Sequence, residues 1–128
     1  MVGYWWRRAS QASAWLLAVA IAAMSLVPPS YRPVTDASQG VEHLVSFLML
    51  GIAFGFGYSE KRSVVAAGLL IFCSAIELAQ FWVPGRHARL SDFVMDTAGA
   101  WIGLAIAHLI IAVTNRVQSH LVSGEPAE

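Results

Sequence analysis

ELAQFWVPGRHARLSDFVMD, residues 77–96, is the stretch that decides the fold. It ends one long apolar run and begins another, and its ionisable residues gather around the join. Pro84-Gly85 marks a turn. Ser91 and Asp92 form an N-cap for the run that follows, since a short side-chain oxygen accepts the backbone N–H bonds that a helix start leaves unmade. Helices joined this tightly are expected to be antiparallel neighbours.

The run before the turn spans Ser63 to Val83, and the run after it Phe93 to Thr114. Toward the amino terminus lie two more: Gln11 to Val27, stopped by Pro28 and Pro29, and Val41 to Tyr58. Each is about 17–22 residues long, close to the ~20 that a helix needs to cross the hydrocarbon. Ser59 to Arg62 is a second tight connector. The sequence therefore predicts an all-α integral membrane protein, with four antiparallel transmembrane helices in an up-and-down bundle over residues 11–114. A short segment (1–10) precedes it, and a polar tail (115–128) is expected to fray. Gly51 with Gly55, and Gly99 with Gly103, each put two glycines on one helix face, where backbones can approach closely. Arg7 and Arg8 precede the first run as in an export signal, but no Ala-x-Ala site follows cleanly, so the segment reads as a retained membrane helix.

Composition agrees. The chain is 57% hydrophobic and 12% charged, whereas a soluble domain carries roughly 25% charged residues. Eight basic residues balance eight acidic ones, which leaves no electrostatic footprint for nucleic acid. Cys73 is the only cysteine, so no intramolecular disulfide forms, and its apolar run marks it as a small buried residue. Arg7, Arg8, Lys61, Arg62 and Arg116 flank the spans on one side, against Arg32, Arg86 and Arg89 on the other. This bias places both termini in the cytoplasm.

Ionisable groups at membrane depth cost about 2.5–3.5 kcal/mol each on insertion scales, so they carry a functional hypothesis by default. The topology gathers them at one end. Glu42 and His43 open the second span, Glu77 and Gln80 approach the end of the third, and Asp92 and Asp96 begin the fourth. Glu77 and Gln80 are three apart and share a helix face, as do Asp92 and Asp96, four apart. Glu77, His43 and Asp96 are the candidates for acid–base work, and Arg86, Arg89, Gln80 and Asp92 for holding a ligand. Each has a structural alternative: Arg86 pairing with Glu77 or Asp92 to pin the connector, Asp92 capping a helix, His43 and Gln80 bonding between helices. No spacing organises these residues around a metal, and no nucleotide fingerprint, phosphate loop or Ser-His-Asp order is visible, so no cofactor is implied.

Glu77-x-x-Gln80-x-x-x-Pro84-Gly85-Arg86, then Asp92, then Gly99 and Gly103, resembles the signature of the VanZ-like family of small membrane proteins. His43, followed by Phe47 and Leu50-Gly51, matches that family's upstream element. The resemblance covers about Val41 to Ala107. Gln39 and Gly40 stand where family members often carry Asp-Lys, and Asp96 where they tend to have Asn, which makes the pocket here more acidic. The family takes its name from a protein associated with resistance to teicoplanin-type glycopeptide antibiotics, so the resemblance implies a bacterial cytoplasmic membrane and a role in the cell envelope.

Two functions from different classes fit. The protein binds or modifies an anionic envelope component at the outer leaflet, a lipid headgroup or lipid-linked precursor meeting Arg86 and Arg89. Alternatively it is a non-catalytic membrane scaffold whose polar cluster locks the bundle. A scaffold is expected to turn a polar or small-residue stripe toward lipid, for which the four glycines are candidates.

Overall fold

A computed structural model describes residues 2–31, 39–87 and 89–123; Arg32 and the last five residues of the tail lie outside these. The described chain is helical without strands: α1 (Val2–Leu26), a short 3-10 turn (Pro29–Tyr31), α2 (Gln39–Gly57), α3 (Arg62–Gln80) and α4 (Leu90–Ser123). All four α-helices contain stretches long and apolar enough to cross a membrane. The chain is a multi-pass membrane protein of the class its sequence predicts.

Several boundaries differ from expectation. Helix α1 starts at Val2, so Tyr4, Trp5, Trp6, Arg7 and Arg8 are its exposed first turns rather than a separate segment. Helix α4 continues past Thr114 to Ser123 and takes in most of the tail expected to fray. It also starts at Leu90, where the Arg89 carbonyl accepts from the Asp92 and Phe93 N–H groups at 2.9 and 3.2 Å. Asp92 therefore sits in the first turn, where a carboxylate meets the positive end of the helix dipole, rather than at the cap itself.

The core is built on a pair of helices that are not consecutive. Helix α2 packs most extensively on α4, and glycine explains how. A Cβ added at Gly51 would stand 2.0 Å from the Ala100 carbonyl oxygen, and one at Gly103 would stand 2.1 Å from that of Leu48. Likewise Gly99 faces Leu44, and Gly55 faces Ala107. Positions rise together along the two helices, so α2 and α4 run parallel with their backbones in contact. Helix α1 runs antiparallel to α2, with Gln11 Nε2 donating to the Gly57 carbonyl at 2.9 Å. Helix α3 runs antiparallel to α4, where Trp101 Nε1 donates to the Ala66 carbonyl at 3.2 Å. The helices thus alternate in direction along the chain, and they stand in the ring order α1, α2, α4, α3, with α2 and α4 as parallel neighbours. Although joined by a tight connector, α2 and α3 touch least of the pairs in contact, and among the described residues α1 does not pack on α4. Phe47, Leu50, Leu69, Cys73, Ala100 and Leu104 fill the centre.

Candidate functional site

The site begins with the turn at the head of α4. Arg86 N–H donates to the Val83 carbonyl at 3.1 Å, closing four residues with Pro84 second and Gly85 third. Gly85 has φ 78°, the left-handed conformation that the third position of a type II turn demands. The turn sends Arg86 back toward α1. Its Nη2 donates to the Met24 and Val27 carbonyls, both at 3.1 Å, and its Nε to Val27 at 3.3 Å. These are carbonyls that the end of α1 cannot pair internally, and α1 has no basic residue in its last turn. Arg86 is buried and caps α1 from across the chain, neutralising the negative end of its dipole. It pins the connector as the structural alternative required, though through backbone carbonyls of α1 rather than through Glu77 or Asp92.

The glycine seam brings the next pair together. His43 on α2 and Asp96 on α4 meet with Nδ1 and Oδ1 3.0 Å apart, at side-chain exposures of 5% and 1%. A carboxylate on Nδ1 fixes the imidazole ring and leaves Nε2 as its working nitrogen. His43 lines a cavity of about 330 Å³ between α1 and α2, together with Glu42, Ser25, Ser46 and Met24. Met24 and Ser25 belong to the segment of α1 that Arg86 holds, so the cap also fixes one wall of this cavity.

Helix α3 supplies a second polar group. Glu77 Oε1 accepts the Arg89 backbone N–H, which ties the connector to α3. Among the described residues its Oε2 is buried without a partner, as is Nε2 of Gln80 one turn on. Glu77 also lies within electrostatic reach of His43, Asp92 and Asp96. The structure therefore gathers Glu77, His43, Asp92 and Asp96 and sets Gln80 beside them on α3. Arg89 is exposed, whereas Arg86 is turned to α1. His108 sits toward the other end, near Arg62. Among the described residues, no three His, Cys, Asp or Glu side chains converge as a metal site would require.

Ser25 and Ser46 are cavity residues that sequence reasoning passed over. Ser46 had a signal: it follows His43 by three, the spacing that shares a helix face. Ser25 had none, because its approach to α2 depends on how the first helix docks.

No curated protein and no solved structure matches the chain. The model of the VanZ/LLP1 family matches residues 4–111, which takes in α1 and extends well beyond the segment that carries the sequence signature. By that match, over most of its length, the chain belongs to the VanZ/LLP1 family.

Proposed function

We propose that this protein binds or modifies an anionic component of the bacterial cell envelope, a lipid headgroup or a lipid-linked precursor, in the outer leaflet of the cytoplasmic membrane. The observation that carries the reading is the buried His43–Asp96 pair on the wall of the cavity between α1 and α2. Keeping a hydrogen-bonded imidazole and carboxylate at membrane depth is costly, and a cavity beside them gives that cost a use. In this reading Asp96 orients His43, whose Nε2 serves the cavity as donor, acceptor or proton carrier. Arg89 meets the anion at the rim and Arg86 secures the α1 wall. Glu77 and Asp92 add carboxylates to the surroundings of the cluster, with Gln80 one turn from Glu77 on α3. The scaffold alternative gains no support from the glycines, since all four face the α2–α4 seam and none of them lies toward lipid.

The test uses the full chain in phosphatidylcholine nanodiscs, with a polyprenyl phosphate as probe and native mass spectrometry as readout. Arg89→Ala is expected to weaken probe binding about tenfold. His43→Gln is expected to keep the fold and lose any turnover of the probe. Wild-type affinity in both Arg89→Ala and an Arg89→Ala, His43→Gln double variant overturns the reading.

A further inference from the structure

We propose that the groove between α1 and α3 is a binding site for one anionic phospholipid from the leaflet on the amino-terminal side, with an acyl chain in the groove and the phosphodiester at Lys61. The groove holds about 560 Å³ and lies toward the other end of the bundle from His43 and Asp96. Trp15, Phe54, Val65, Leu69 and Phe72 form its walls, and no carboxylate lines it. It exists because α1 and α3 pack loosely and because α3 presents Gly68 there, where an added Cβ would meet nothing within 4 Å.

Length identifies the occupant. Lys61 and Ala75 mark the extent of the groove along α3. Their separation corresponds to about 21 Å of helix at 1.5 Å per residue. Half of a hydrocarbon core is about 15 Å thick. The groove therefore runs from the interface past the midplane, which is the reach of a single acyl chain entering from one side. Charge identifies the headgroup. Glu60 is taken by Arg7 at 3.4 Å, while among the described residues Lys61 has no carboxylate partner. Beside it, Tyr58 accepts from Trp15 Nε1 at 3.0 Å, so the phenol proton is left to donate to a phosphate oxygen.

The test is retention of phosphatidylglycerol against phosphatidylcholine by the detergent-purified full chain, read by native mass spectrometry. Wild type is expected to retain phosphatidylglycerol several-fold better. Gly68→Leu, which fills the groove from an open position, is expected to lose both lipids. Lys61→Gln is expected to lose only the preference. Ala75→Phe, obstructing the far end, is a second variant should Gly68→Leu fail to fold. Wild-type retention in either folded groove variant, or an undiminished preference in Lys61→Gln, overturns the proposal.

Discussion

His43 Nδ1 and Asp96 Oδ1 meet at 3.0 Å because the backbones of α2 and α4 are already in contact beside them. Gly99 follows Asp96 by less than a turn and lies against the carbonyl of Leu44, the residue next to His43. Seam and polar pair are one construction. Close approach lets two short polar side chains reach each other inside a membrane, and their bond in turn fixes the register of the seam.

Removing one partner of a buried pair strands the other, at a typical cost of about 3–5 kcal/mol. Asp96→Leu is therefore expected to lose about 3 kcal/mol in nanodisc unfolding experiments. Asp96→Asn keeps an acceptor for Nδ1–H and is expected to lose only about 1 kcal/mol. Equal stability of wild type and Asp96→Leu would show that the pair contributes nothing to the fold.

The seam makes a sharper prediction, since its neighbours are backbone and cannot move aside like a flexible side chain. Gly51→Ala and Gly103→Ala place a methyl group about 2 Å from carbonyl oxygens. Each is expected to cost at least the ~1–3 kcal/mol typical of overpacking. Gly68→Ala meets open space, and alanine's better helix propensity favours it by up to about 1 kcal/mol. Thermal unfolding of the three variants side by side decides it: a Gly103→Ala protein as stable as Gly68→Ala contradicts the seam.

Much of this was legible in sequence because the signals are local. Four apolar runs, a Pro-Gly turn and paired glycines at helical spacing each report on their own neighbourhood, and short connectors fix direction. Which helices pack is not local. The tight connector from α2 to α3 suggests close neighbours, whereas the glycines on α2 and α4 bring those two backbones into contact and make theirs the most extensive packing, and the connector accommodates the result. The same limit governs the site. The polar residues at one end could be named from their positions along the helices, but Arg86 bonds to backbone carbonyls of α1. A carbonyl has no sequence signature.

Arg86 should act through α1. Arg86→Ala removes charge-assisted bonds of a kind worth about 1.5–3 kcal/mol each and leaves carbonyls at the end of α1 unpaired. Hydrogen exchange at the amides of the last turn of α1 is expected to rise at least tenfold in this variant, with exchange in the α2–α4 seam unchanged. Gly85→Ala should reproduce the effect more weakly, because a left-handed alanine costs about 1–2 kcal/mol and the turn aims Arg86. Exchange at the end of α1 that follows neither substitution would separate the turn from the helix it is said to cap.

Glu77 distinguishes structure from function within one side chain, because its two oxygens have different surroundings. Oε1 holds the Arg89 N–H, and among the described residues Oε2 has no partner. Glu77→Gln retains an oxygen for the N–H, so its stability in nanodiscs is expected to stay within about 0.5 kcal/mol of wild type. Glu77→Leu takes away the partner of that half-buried N–H and is expected to lose about 1–3 kcal/mol. If the second oxygen serves the site, Glu77→Gln also weakens polyprenyl phosphate binding or turnover while remaining folded. A large stability loss in Glu77→Gln would mean instead that the carboxylate's charge is needed by the fold, and Glu77 would then be a structural residue.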